Sequence, residues 1–153
     1  MNADIFIDTN IFLYSIDDSP AAANKRDVAR RILQTEAWGW SVQVAAEFFV
    51  NATSPKRAFR LAVPLASSLV ETWLSFPTAD ITPEIVRDAM SIHQRYQTSY
   101  WDSAIIATAK RLGCRAVYSE DMNDGQDYDG VKVVNPFLNT VPAPLAEGAA
   151  DTR

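Results

Sequence analysis

The sequence predicts an α/β fold: three layers, with a central parallel sheet between two layers of helices. Three observations predict it. Short apolar runs, Ile5-Phe6-Ile7 first among them, are β-branched and aromatic without polar alternation, so they read as buried strands. Longer stretches with helical apolar spacing separate these runs. Ser19-Pro20 and Thr82-Pro83 stand at the heads of two such stretches, each an N-cap followed by a first-turn proline. Strands alternating with helices pair in parallel and carry helices on both faces.

Taken in order, the first strand spans about residues 4–8 and ends in Asp8-Thr9-Asn10. A short helix to Ser15 follows, packing Ile11, Phe12 and Tyr14 inward; Asp17-Asp18-Ser19-Pro20 is a turn. The next helix reaches about Thr35, with Val28, Ile32 and Leu33 as its apolar stripe. Residues 37–41 form a second strand, and Ser41 caps a helix from Val42 to Ala52. A loop at 53–57 leads to a helix from Val63 to about Ser75, then to a short strand within 76–81. Thr82 opens a helix to about Gln97. The stretch 98–109 is small or apolar nearly all round, hence a buried helix, and Gly113 ends it. Residues 115–118 and 131–134 are the last two strands. The domain is expected over residues 1–139, with an Ala/Pro/Gly-rich disordered tail over 140–153.

With 153 residues the chain suffices for one domain with a sizeable core. No run of about 18 apolar residues predicts a membrane span, and no secretory signal pattern is evident. The one cysteine, Cys114, cannot make an internal disulfide, which fits a reducing cytoplasm. One cysteine and one histidine (His93, read as structural or solvated) argue against zinc. A net charge of −5 excludes a generally basic nucleic-acid binder. Two local basic clusters remain as candidate phosphate contacts: Lys25, Arg26, Arg30 and Arg31, then Lys56, Arg57 and Arg60.

Four acids interrupt apolar or small-residue surroundings: Asp8, Glu47, Asp102 and Asp121. Asp8 and Asp121 each follow a strand, at the sheet edge where α/β proteins bind ligands. Asp102 opens the buried helix, in a Ser99-x-x-Asp102 arrangement that also resembles a capping box. Glu47 lies in an apolar helix starting from the same edge, with Asn51 one turn on. If these carboxylates meet, repulsion and desolvation raise their pKa values, and a hard divalent cation, Mg²⁺ or Mn²⁺, makes the cluster tolerable. Such a site suits hydrolysis of a phosphodiester by metal-activated water. Thr9, Asn10 and Ser103 are the neutral groups placed to orient it.

On these residues the chain resembles the PIN-domain family. Asp8-Thr9-Asn10, Glu47, Trp101-Asp102-Ser103-Ala104 and Ser119-Glu120-Asp121 match its pattern in order, over about residues 4–138. Tyr118 to Gln126 is similar to the VapC-type toxins of bacterial toxin–antitoxin pairs. The resemblance implies an α/β/α sandwich and a Mg²⁺-dependent endoribonuclease in the cytoplasm. It also implies a homodimer held inactive by a cognate antitoxin, with Asp8, Glu47, Asp102 and Asp121 as the acidic site and Asp124 as a substitute or addition at the fourth position. The antitoxin is expected to cover the acidic edge and offer it a basic side chain. Two rivals stand beside this reading. A haloacid-dehalogenase-type phosphatase needs an acid two residues after the first, where this chain has Asn10. A PIN-like protein that binds metal or a partner without catalysis retains the fold alone.

Overall fold

β1 (Ile5–Ile7) runs through the middle of the molecule, each residue fully buried. A computed structural model of the chain describes residues 2–138. The expected tail, 140–153, lies outside them. In chain order β1 is followed by α1 (Thr9–Ser15), a 3-10 turn (Pro20–Ala22), α2 (Ala23–Thr35), β2 (Trp38–Ser41), α3 (Val42–Ala52), α4 (Val63–Trp73), β3 (Thr78–Ala79), α5 (Pro83–Tyr96), α6 (Tyr100–Arg111), β4 (Ala116–Tyr118), β5 (Asp127–Tyr128) and β6 (Val131–Val134).

The sheet has six strands in the order β3-β2-β1-β4-β6-β5. All pairs are parallel except β5 with β6. The chain builds outward from β1 through β2 to β3, then returns to β4 on β1's other side. The order therefore reverses between β1 and β4, and the crevice outside their C-terminal ends is where an open α/β sheet binds ligands. Ile7 pairs with Tyr118, so the residues just past the two strands, Asp8 and Ser119, emerge side by side.

The predicted caps form. Ser41 Oγ accepts from Val44 N at 3.2 Å, Thr82 Oγ1 from Ile85 N at 3.2 Å, and Ser99 Oγ from Asp102 N at 3.1 Å. Ser19 differs: its hydroxyl makes no cap, and instead its N–H donates to Asp17 Oδ1 at 3.0 Å. The turn is thus an Asx turn ahead of the proline, and the α-helix starts only at Ala23. Residues Ser103 to Ala109 of α6 are all buried, as its composition predicts.

Aromatic residues account for much of the core. Phe12, Trp38, Trp40, Phe48 and Trp73 form one cluster, with Phe76 stacked on Trp38 at 4.0 Å. It binds α1, α3 and α4 to β2, so the elements carrying Asp8 and Glu47 share a single rigid support. Gly39 in β2 sits where the backbone approaches its neighbours. A Cβ there would meet Pro77 O at 3.0 Å, Ala3 Cβ at 3.1 Å and Leu112 Cδ1 at 3.2 Å. Gly39→Ala is expected to lower unfolding free energy by about 1–3 kcal/mol, read by urea titration, because the nearest atom is backbone and cannot swing away.

One strand goes beyond the sequence reading. β5 pairs antiparallel with β6 through Asp129-Gly130, whose φ values are 54° and 98°. Both central positions being left-handed is the two-residue hairpin geometry that Asp-Gly favours. Cys114 is buried; burial first, then the Asp4 charge, pushes its thiol up to about 12, so it packs as an inert hydrophobe. His93 is exposed, its Nδ1 within 2.5 Å of Thr98 O. Among the described residues no helix is long and apolar enough to cross a membrane.

Candidate active site

Asp8 occupies the switch point. It is the N-cap of α1, and its side chain is only 7% exposed. Oδ1 accepts from Thr9 N at 2.8 Å, and Oδ2 accepts from Ser119 Oγ at 2.7 Å. Burial pushes this carboxyl up to about 6. The hydrogen bonds from Ser119 and Thr9 pull it back, and the charges of Asp121 and Glu47 push it further up.

Asn10 ties Asp8 to the loop after β4. Its Nδ2 lies 3.4 Å from Asp8 Oδ2, 3.4 Å from Ser119 Oγ and 3.2 Å from Asp121 Oδ2. Its Oδ1 accepts from Glu120 N at 3.2 Å. Ser119, fully buried, completes the junction by accepting from Asp121 N at 3.1 Å. One hydroxyl thus fixes both acids, giving to Asp8 and receiving from the Asp121 backbone. Ser119 carries no separate role in the sequence reading. Its signal there is a serine two residues before an acid, the spacing of a local side-chain-to-backbone turn.

Asp102 reaches the same edge because α6 runs antiparallel to the strand that follows it, so the start of α6 lies beside the end of β4. Its carboxyl is half-buried and raised, first by burial and then by the Asp121 charge, against the opposing Ser99 hydrogen bond. Glu47 lies on the exposed side of α3, yet Thr9 Oγ1 donates to its Oε1 at 2.9 Å. Gln43 lies 3.4 Å from its other oxygen. Asn51, one turn on, donates to the Glu47 backbone oxygen at 2.8 Å and not to the carboxylate.

Two further expected groups have other partners. Asp124 Oδ1 accepts from Asn135 N at 2.7 Å, which fastens the loop to the end of β6 and leaves Asp121 as the acid beside Asn10. The Ser103 hydroxyl donates to Ser99 O at 2.7 Å and steadies the cap of α6.

Most of the basic residues also have internal duties. Lys25 pairs with Glu120 and approaches Tyr14 OH at 3.3 Å. Burial alone would raise the Glu120 carboxyl, but Lys25 and Tyr14 outweigh it and hold it low. Arg26 donates to Asp17 O and Ser19 O, Arg30 to Ser15 O, and Arg57 to Leu13 O. A side chain bonded to a carbonyl is a pin between elements, a use the charge pattern alone does not reveal. Arg31, Lys56 and Arg60 are exposed. Arg57 also lines an open cleft with Asn10 and Glu120.

A hard divalent cation fits this donor set. Among the described residues no Lys or Arg pairs with Asp8, Glu47, Asp102 or Asp121. No three acidic, Cys or His side chains there stand close enough to form a ready-made chelate.

A family model described as PIN domain matches residues 5–124. The chain belongs to the PIN-domain family. Several solved structures share its fold. VapC20 of Mycobacterium tuberculosis, titled a sarcin-ricin loop cleaving toxin, is 18% identical with a TM-score of 0.62, covering 78% of this chain and 92% of that one. A toxin–antitoxin complex from Klebsiella pneumoniae gives 19% and 0.65, covering 88% and 98%. DNA-bound VapBC from Salmonella typhimurium gives 19% and 0.59, covering 86% and 96%. A search of curated proteins gives no match.

Proposed function

We propose that this chain is a metal-dependent endoribonuclease of the VapC type, the toxin of a toxin–antitoxin pair. The observation that carries the reading is Asp8: a nearly buried carboxylate without a cationic partner, with two more acids raising its proton affinity, at the switch point of a PIN fold. Mg²⁺ or Mn²⁺ would be held directly by one or two of Asp8, Asp102 and Asp121, with the others and Glu47 reached through its waters. When bound, the cation supplies charge neutralisation at the phosphodiester and lowers the pKa of water.

The chain's own residues do the positioning. Ser119 and Thr9 N–H hold Asp8 in one rotamer, so its orientation needs no adjustment when RNA arrives. Asn10 keeps Asp121 alongside. Thr9 OH holds Glu47 toward the cluster across the gap between α1 and α3. Arg57, which lines the cleft beside Asn10, and the exposed Lys56 contact the RNA backbone.

The antitoxin and a homodimer belong to the same proposal. The Klebsiella structure is a toxin–antitoxin complex, and the Salmonella one a DNA-bound VapBC. Exposed Val50, Phe59, Val63 and Leu65 on and between α3 and α4 are apolar surface of the sort partners cover. The protein is proposed to work in the cytoplasm.

The test is cleavage of a mixed RNA pool by antitoxin-free protein in Mg²⁺, Mn²⁺ or EDTA. Cutting in either metal, none in EDTA, and a loss of about a hundredfold or more in Asp102→Asn are expected. Folded protein that binds metal yet cuts no RNA would overturn the enzyme reading and leave a binding protein.

A further inference from the structure

Beside the acids lies a second cleft, of about 260 Å³. Asp102, Asp121, Asn123 and Gln126 are among the residues that line it. That volume is below the roughly 300–1,000 Å³ of sites for drug-sized ligands, so it suits one ring system and not a dinucleotide.

Two kinds of polar group line the cleft. A phosphate belongs with the acids and their cation. Asn123 and Gln126 are neutral. Asn123 Nδ2 donates to Gln126 Oε1 at 3.2 Å. That bond consumes one donor and one acceptor and leaves Asn123 Oδ1 and Gln126 Nε2 for a ligand. A paired acceptor and donor on fixed amides complements the edge of a nucleobase. Tyr96, Tyr128 and Met122 also line it, Tyr96 and Tyr128 edge to face at 5.0 Å; Tyr128 and Met122 are buried, so the surface the cleft offers a ligand is mostly polar.

The end of α5 forms part of the rim. Gln97 adopts φ 57° and ψ 29°, left-handed for a residue with a side chain. Its N–H donates to His93 O at 2.8 Å, and His93 Nδ1 lies 2.5 Å from the carbonyl of the next residue, Thr98. Gln97 and Thr98 border the cleft, and the next residue, Ser99, caps α6 and so sets Asp102. Gln97 is the C-cap of α5, and this is the left-handed conformation in which helices commonly end.

We propose that this cleft seats one unpaired nucleobase of the RNA, the base adjoining the scissile phosphate, and that Asn123 and Gln126 read its edge. The inference rests on the nuclease reading above. It makes cleavage base-selective at one position next to the cut.

The test uses uridine hexaribonucleotides carrying A, C, G or U at one central position. Binding is followed by fluorescence anisotropy, to the full chain in EDTA and to Asp8→Asn in Mg²⁺. One base is expected to bind about tenfold more tightly, the discrimination of a two-point edge contact. Asn123→Ala and Gln126→Ala, each checked for an unchanged melting temperature, should bring the four hexamers within about twofold of one another. A preference that survives both substitutions, four equal affinities, or no binding would overturn the cleft assignment. Cleavage by the unsubstituted chain in Mg²⁺, run in parallel, separates the two readings. Cutting without base preference refutes the cleft alone. Base-selective binding that the substitutions abolish, without cutting, upholds the cleft and refutes the nuclease.

Discussion

Asp8→Asn is expected to reduce RNA cleavage about a thousandfold or more, on the order of 4 kcal/mol of transition-state stabilisation. The substitution is nearly isosteric, and one amide oxygen can still accept from Ser119 or Thr9 N–H. What it removes is the charge. A buried carboxylate with no Lys or Arg partner offers a divalent cation far more than a neutral amide does. Initial rates on one RNA at saturating Mg²⁺ measure the effect. A residual rate within tenfold of the unsubstituted protein would mean that Asp8 is not a central ligand. Stability should move the other way at neutral pH: the metal-free variant should melt no lower than the original, because a desolvated charge has been taken out of the fold.

The second large effect is the pH dependence of stability in the metal-free protein. The folded Asp8 carboxyl sits at about 6 against an ordinary 3.8. The folded state therefore holds this proton more tightly than the unfolded chain does. The stability this contributes is fully present below about pH 3.8 and is lost as pH rises through 6. The gap corresponds to about 3 kcal/mol. Other acids work in the opposite sense: Glu120 and Asp17 are held low, so their contributions are lost on acidification. The comparison that isolates Asp8 is the original protein minus Asp8→Asn, by urea unfolding in EDTA. That difference should fall by about 2.4 kcal/mol between pH 4 and pH 7 and recover when Mg²⁺ or Mn²⁺ is added at pH 7. A flat difference would show that the charge is solvated or already compensated.

Much of the fold was legible because its signals are local. Ser41, Thr82 and Ser99 read as caps, and each makes its bond to a backbone N–H three residues on. Such a bond needs only the chain's own next turn. The apolar run at Ile5–Ile7 read as a buried strand because nothing polar interrupts it. β5 was not read, since two residues carry no periodicity; the legible mark was the Asp129-Gly130 turn beside it. The cap expected at Ser19 failed because Asp17, two residues earlier, engages the Ser19 N–H and makes the turn itself.

The candidate site divides in the same way. By itself the sequence determined which acids stand at strand ends and helix starts, and hence that Asp8, Asp102 and Asp121 share one edge of the sheet. It also determined the α/β class and the family. Only the tertiary structure decided how those acids are used. It put Asn10 between Asp8 and Asp121, made Ser119 the hydroxyl that serves both, and turned Asp124 toward β6. It left Glu47 exposed but tethered by Thr9, and bound Lys25, Arg26 and Arg30 to their own neighbours. The physical reason is range. Caps and periodicity act over three or four residues, whereas the bonds that define this site join residues 38 to 111 positions apart. A contact at that separation exists only once the sheet order has brought β1 and β4 together.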